Sequence, residues 1–255
     1  MERIIYGPVS SWRLGRSLGI DLLSNPGCTC SFDCVYCQLG KTADPLVEPR
    51  AFVTLPGLSK ELSAVRDIPA DYATFSGMGE PTLASNLGEA IELARSILKL
   101  PVAVLTNSSL MPVDAVRKRL ALADVVVAKV DAPDDRRFRA INRPFVKYTL
   151  DEILQGLKRF RAEYGGRIAL QMMFVAENRG CAAEMAALAA RLSPDEVQIN
   201  TPLRPCGVSP LTPDEILSIK GEFAGIRQVF SVYEASKPEI KPLHLKQTLR
   251  RRPKL

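Results

Sequence analysis

Cys30, Cys34 and Cys37 lie in the run Cys28-Thr-Cys30-Ser-Phe-Asp-Cys34-Val-Tyr-Cys37, and their C-x3-C-x2-C spacing puts three thiols on one short loop. Three thiolates can hold three corners of a cubane iron–sulfur cluster. The fourth iron is then left without a protein ligand, and an open metal position is where chemistry happens. An electron-transfer ferredoxin would supply a fourth Cys nearby, at its own spacing. A structural zinc site wants four ligands, often as two C-x2-C knuckles, whereas the later candidates Cys181, Cys206 and the single histidine His244 are scattered. A disulfide framework is the other alternative. No signal-peptide pattern follows Met1-Glu2-Arg3, so the expected location is the cytoplasm, where clustered cysteines bind metal more often than they pair.

Three further segments carry polar groups suited to a ligand. Gly77 and Gly79, in Thr74-Phe75-Ser76-Gly77-Met78-Gly79-Glu80-Pro81-Thr82, let a backbone approach a ligand closely. Glu80 beside them can accept from a charged amine. In Leu105-Thr106-Asn107-Ser108-Ser109, Asn107 and Ser108 can bond ribose hydroxyls or a carboxylate, or can make an ordinary turn or cap. In Ala128-Lys129-Val130-Asp131, period-two geometry puts Lys129 and Asp131 on one face, either open to a ligand or closed as an internal ion pair. Gln171, Met173, Asn200 and Arg204 are weaker candidates for the substrate side of the same mouth, and Arg143 is a further candidate anion binder.

The elements that would position these residues alternate between β and α. Strands are expected at Gly19 to Leu23, Tyr72 to Phe75, Val102 to Leu105, Val125 to Val130, Ile168 to Val175, Val197 to Ile199 and Gln228 to Tyr233. Helices are expected at Leu58 to Val65, Asn86 to Leu98, Val113 to Leu122, Leu150 to Tyr164 and Ala182 to Leu192, with another from the cap Thr212-Pro213-Asp214-Glu215 to Phe223. Val125 to Val130 is almost wholly apolar, as a strand buried on both faces should be. About six β/α units in succession imply a parallel sheet with right-handed crossovers. Each polar segment above then falls at the C-terminal end of a strand. Periodicity does not separate a barrel from an open sheet.

The cysteine spacing, with the aromatic Tyr36 just before the third Cys, resembles the radical S-adenosylmethionine (radical SAM) superfamily. Gly77-Met78-Gly79-Glu80 is similar to that family's Gly-Gly-Glu motif, with Met78 inserted. The resemblance implies an α/β fold built as a partial (β/α)6 TIM-like barrel of parallel strands, with the active site at the strand C-terminal ends. It implies a [4Fe-4S] cluster on Cys30, Cys34 and Cys37, with Cys28 a neighbour outside the ligand spacing. S-adenosylmethionine (SAM) would bind at the open iron, its adenine beside Tyr36 and its ammonium group at Gly77, Gly79 and Glu80. Lys129, Asp131, Asn107 and Ser108 would reach its carboxylate and ribose. Reductive cleavage would give methionine and a 5′-deoxyadenosyl radical, and an electron donor of flavodoxin or ferredoxin type would be needed.

The opening Tyr6-Gly7-Pro8-Val9-Ser10-Ser11-Trp12-Arg13-Leu14-Gly15-Arg16-Ser17-Leu18-Gly19-Ile20, together with Cys34-Val-Tyr-Cys37-Gln-Leu-Gly40 and Ile141-Asn-Arg-Pro144, resembles small wyosine-synthase-like radical SAM proteins over nearly the whole chain. Trp12 stands where that pattern has another Arg. True wyosine synthases carry extra N-terminal cysteines for a second cluster, and no cysteine precedes Cys28, so the wyosine reaction is not expected. A one-cluster chain of this size also resembles glycyl-radical activating enzymes.

The 255 residues suit one α/β domain, read as residues 1–236, followed by a basic tail at 237–255. The net charge of +6 is concentrated in that tail, which has seven basic residues and one acid; the remaining 27 basic and 27 acidic residues cancel. The tail is expected to be a solvated terminus, with contact to RNA phosphates or an acidic protein as the alternative. No apolar run is long enough for a transmembrane helix, so no membrane association is expected. With one histidine, in the tail, proton transfer would rely on Lys, Tyr, Asp, Glu or Cys. The reading is a single-cluster radical SAM enzyme abstracting hydrogen from an RNA base, a protein or a metabolite. The alternative is a non-enzymatic iron–sulfur or zinc protein whose basic tail binds nucleic acid or an acidic partner.

Overall fold

A computed structural model describes residues 3–234 and 238–253. The chain begins with an antiparallel hairpin of β1 (Ile5–Ser11) and β2 (Gly15–Ile20). The two-residue strands β3 (Thr29–Cys30) and β4 (Asp44–Pro45) pair with each other around the cysteine loop. Then follow α1 (Leu55–Ala64), β5 (Tyr72–Phe75), a 3-10 turn at Pro81–Leu83, α2 (Leu87–Leu98) and β6 (Val102–Thr106). After these come α3 (Asp114–Leu120), β7 (Val125–Lys129), α4 (Asp135–Asn142), α5 (Leu150–Glu163) and β8 (Arg167–Met173). A 3-10 turn at Arg179–Cys181 leads into α6 (Ala182–Leu192), β9 (Glu196–Asn200), α7 (Pro213–Gly221), β10 (Val229–Ser231) and α8 (Leu245–Arg251).

Eight strands form one sheet in the order β1-β2-β5-β6-β7-β8-β9-β10, parallel from β2 to β10 with only β1 antiparallel. The sheet curls into a half-barrel backed by the helices, the architecture that the radical SAM resemblance implied. Strand β7 shows why. Val126 and Ala128 join the main core between sheet and helices, whereas Val125 and Val127 pack inward with Leu14, Ala103 and Ala169. Those small and branched side chains close the bottom of the lumen. Lys129 continues the inward face of β7, so period two lifts its ammonium above this apolar floor. Capping boxes at Thr149 with Glu152 and at Thr212 with Glu215 fix the starts of α5 and α7.

Three elements differ from the expectation. The first strand of the parallel set begins at Gly15 rather than Gly19, and β1 precedes it as an edge strand. Gly7-Pro8 inside β1 reads as a breaker. An edge strand tolerates it because the register shifts between Tyr6 and Val9. Helix α4 is short and charged, and its capping residue Asp134 accepts from the Arg137 backbone. The expected solvated tail is also corrected over residues 238–253. Helix α8 packs along β1: Leu243 N donates to Gly7 O at 2.7 Å, and Gly7 N donates to Thr248 Oγ1 at 3.1 Å. Lys237 and Lys254 of the tail lie outside the described residues. Among the described residues, no helix is long and apolar enough to cross a membrane.

Candidate active site

The cysteine loop follows β2 at the C-terminal rim of the half-barrel and is gripped from two sides. On one side, Thr29 N donates to Met78 O at 2.9 Å and Glu80 N donates to Thr29 O at 3.2 Å. That approach demands glycine at 79, whose φ is +148°. A Cβ there would lie 1.6 Å from the Thr29 carbonyl oxygen. Gly77, at φ +154°, is pressed against Asp21 in the same way. On the other side, Val35 N donates to Ile141 O at 2.9 Å, Asp33 N to Asn142 O at 3.0 Å and Phe145 N to Ser31 O at 2.9 Å. The Phe32 ring meets Phe138 edge-on at 5.4 Å and anchors the loop in the core.

This grip leaves Cys30, Cys34 and Cys37 half-buried, while Cys28 is buried, and all six cysteines are free thiols. Two side-chain amides reach the thiols. Asn107 Nδ2 lies 3.5 Å from Cys30 Sγ, and Asn142 Nδ2 lies 3.4 Å from Cys34 Sγ. Hydrogen bonds from amides to sulfur are one of the means by which a protein tunes an iron–sulfur centre. The Cys28 thiol touches those of Cys30 and Cys37, and these contacts together with burial hold its proton on. Its contact in turn pulls the Cys37 thiol down to about 7. Burial pushes Cys34 up to about 12, a cost that a bound cation offsets. A donor set of three thiols with amide partners fits a multi-iron cluster held at its corners.

Glu80 is only 2% exposed. Its Oε1 accepts from Thr82 N at 3.1 Å, Thr82 Oγ1 at 2.7 Å and Thr106 Oγ1 at 2.7 Å, and its Oε2 accepts from Asn107 N at 2.6 Å. Burial raises its carboxyl against these donors. The carboxylate therefore braces the end of β6 against the Gly-x-Gly segment and sets Asn107 beside Cys30. Ser108 is buried, with φ +69° and a hydroxyl that has no partner.

Lys129 and Asp131 do meet, and Tyr36 stands between them. The Tyr36 hydroxyl donates to Asp131 Oδ2, and Lys129 Nζ lies 3.0 Å from that hydroxyl and 3.7 Å from Asp131 Oδ2. The same ammonium sits 4.3 Å from the Tyr36 ring centroid. Asn142 Nδ2 donates to Asp131 Oδ2 at 2.9 Å, and Met173 N donates to Asp131 Oδ1 at 2.8 Å. Asp131 is thus a buried hub. Of the two arrangements expected for the pair, the Asp131 side is closed as an internal ion pair, and Lys129 keeps a face toward open space. Burial and the Asp131 charge push the Tyr36 phenol far up, so it stays protonated.

That open space is a cavity of about 480 Å3 at the strand ends, lined by Tyr36, Cys37, Gly77, Lys129, Gln171 and Asn200 among others. Its size suits a ligand pocket. Met173 and Arg204 reach it as expected, but Arg143 does not, since it is exposed at the end of α4. Sequence reading missed Asn142, whose neighbour Arg143 drew attention instead. It also missed Arg13, Arg251 and Arg252, which line the same cavity as Trp12. Arg251 Nε pairs with Asp21 Oδ2 at 2.7 Å, both side chains essentially without exposure, and its NH2 donates to Arg3 O at 2.7 Å. The only sequence hints were the uneven tail charge and the single Trp.

The radical SAM superfamily pattern matches residues 24–189, a span that includes the cysteine loop, the Gly-x-Gly-Glu segment and β7. A UPF0026 protein of Synechocystis is 39% identical over 207 residues, covering 79% of this chain and 76% of its own. Among solved structures, TYW1 with a lysine-pyruvate adduct bound has a similar fold, with a TM-score of 0.60 at 16% identity over 82% of this chain and 73% of that one. So does anSMEcpe with bound AdoMet, with a TM-score of 0.62 at 16% identity, over 85% of this chain and 64% of that one.

Proposed function

The chain belongs to the radical SAM superfamily, and from that premise we propose that Cys30, Cys34 and Cys37 hold a [4Fe-4S] cluster beside a SAM site in the cavity. The observation that carries this reading is the juxtaposition of three gripped thiols, two of them met by side-chain amides, with a ligand-sized cavity that Cys37 and Tyr36 line. Cys28 is placed outside the ligand set because its position falls outside the C-x3-C-x2-C spacing. When bound and reduced, cluster and SAM together would supply a 5′-deoxyadenosyl radical for hydrogen abstraction from the substrate.

The chain's own residues prepare that site. The Tyr36 ring offers an aromatic wall to a flat base. Lys129 keeps donors for a carboxylate beyond its contact with Tyr36. Gly77 exposes backbone on the cavity wall. Glu80 and Asp131, engaged by internal donors, position this wall rather than touch the ligand. Asn107 and Asn142 orient and polarise the sulfurs, and Ser108 shapes the turn that places Asn107. A flavodoxin- or ferredoxin-type donor supplies the electron, and the reducing cytoplasm keeps six free thiols intact. The substrate is a macromolecule or a metabolite that carries the abstracted hydrogen.

Anaerobic reconstitution with iron and sulfide, reduction with added SAM and mass spectrometry of 5′-deoxyadenosine test the reading. Bound iron and sulfide should persist in a Cys28→Ser variant and be lost in Cys34→Ala, with 5′-deoxyadenosine following the same pattern. Bound zinc without SAM cleavage would leave a metal-stabilised binding protein instead.

A further inference from the structure

Among the described residues, three guanidinium groups in the cavity have no counterion. Arg13 lies in the turn between β1 and β2, Arg204 in the loop after β9, and Arg252 directly after α8. Among the described residues, none has a carboxylate within salt-bridge distance, and no Asp or Glu lines the cavity. Arg204 is held at 2.8 Å by the neutral Gln38 Oε1. Arg13 sits 5.0 Å from the centre of the Trp12 ring, and its buried Nε has no partner. The other cations there are accounted for: Lys129 faces Asp131, and Arg251 faces Asp21.

The three charges oppose one another. Burial, then the charges of Arg252 and Arg204, push Arg13 down to about 9, against a weaker pull from Glu196. Burial and Arg252 push Arg204 down to about 10, and burial lowers Arg252. A guanidinium stays protonated at neutral pH even so, and the repulsion is a cost that folding alone does not explain. SAM cannot relieve it, because its sulfonium, ammonium and carboxylate sum to one positive charge. A preassembled cluster of unpaired cations in a cleft concentrates anions.

Resting on the radical SAM reading, we propose that the substrate carries a phosphate group, seated by Arg13, Arg204 and Arg252. A phosphate offers two charges and several acceptor oxygens, which planar guanidinium forks meet two bonds at a time. Trp12, half-buried on the same wall, adds an apolar face for the rest of the molecule.

Calorimetry at low salt on reconstituted protein with SAM tests this, with inorganic pyrophosphate, a nucleoside monophosphate, a short single-stranded RNA and succinate as probes. The phosphate probes should bind wild type at least tenfold more tightly than succinate. Arg13→Gln, Arg204→Gln and Arg252→Gln should each weaken pyrophosphate at least tenfold, while Arg204→Lys retains most of the binding. Lys158→Gln, on exposed α5, should bind as wild type. Without ligand the three Gln variants should melt at or above the wild-type temperature, because each removes a repelled charge, so loss of binding cannot be assigned to misfolding. The monophosphate and RNA arms distinguish a small ester from a polynucleotide as the source of the phosphate. Equal binding of succinate, no binding of any phosphate probe, or pyrophosphate binding unchanged in all three Gln variants would overturn the proposal. Abortive 5′-deoxyadenosine formation is scored separately. If it fails while pyrophosphate binds, the radical chemistry is wrong; if it persists without phosphate binding, the anion site is wrong.

Discussion

Replacing Arg251 by alanine removes the cation paired with Asp21 while leaving that carboxylate buried between the end of β2 and the Gly77–Met78 turn. Two backbone donors, Leu23 N and Ser24 N, remain at 3.2 Å from Oδ1, and Met78 N at 3.2 Å from Oδ2. Breaking a buried pair from one side costs about 3–5 kcal/mol. For a chain of this size that is a drop in melting temperature of roughly 6–20 °C. Even with Arg251 in place, burial holds the Asp21 carboxyl above its ordinary value, and the Arg251 charge only opposes it. Without Arg251 the carboxyl rises further. Its penalty is then full at neutral pH and shrinks as pH falls through the raised value and the group takes up a proton. Urea or thermal unfolding of wild type, Arg251→Ala and Asp21→Asn/Arg251→Gln, each at pH 7 and pH 5, measures this. The double variant should recover part of the loss, because it leaves no buried charge. A loss for Arg251→Ala below about 1 kcal/mol at pH 7, the range of an exposed pair, would refute the reasoning.

Gly79→Ala forces a Cβ against the Thr29 carbonyl, and urea unfolding should show a loss of more than about 3 kcal/mol, with iron content falling because the cysteine loop is displaced. Tyr36→Phe removes the hydroxyl shared by Asp131, Lys129 and Asn142. It should cost about 1–3 kcal/mol in the same assay while iron and sulfide content stay at the wild-type level.

Much of the architecture was legible because the strands that matter are buried on both faces. Val125–Lys129 is one apolar run ending in a charge, and that alone gives both the strand and the inward residue at the rim. The Ala-rich α6 has the bounds that its periodicity predicts. Strand β1 was not legible, since Gly7-Pro8 reads as a turn and only its pairing with β2 makes it a strand. The roles of site residues were harder to read, because a motif gives identity and not direction. Glu80 stands where the motif puts it, yet its oxygens face Thr82, Thr106 and Asn107. Arg251 looked like one of three surface arginines because its counterion lies 230 positions away. Asn142 carries no charge, and its contact with Cys34 depends on how α4 ends.

The wall of the cavity that holds Arg251 and Arg252 has a consequence for how the protein is made. The cysteine loop leaves the ribosome more than two hundred residues before these arginines, and at typical synthesis rates of 5–20 residues per second that interval is roughly 10–40 s. Helix α8 docks onto β1 only after that, since β1 and α8 come from opposite ends of the described chain. On the proposed function, iron and sulfide can therefore reach the thiols before their last neighbour exists. Order of synthesis thus separates formation of the cysteine loop from closure of the pocket around it.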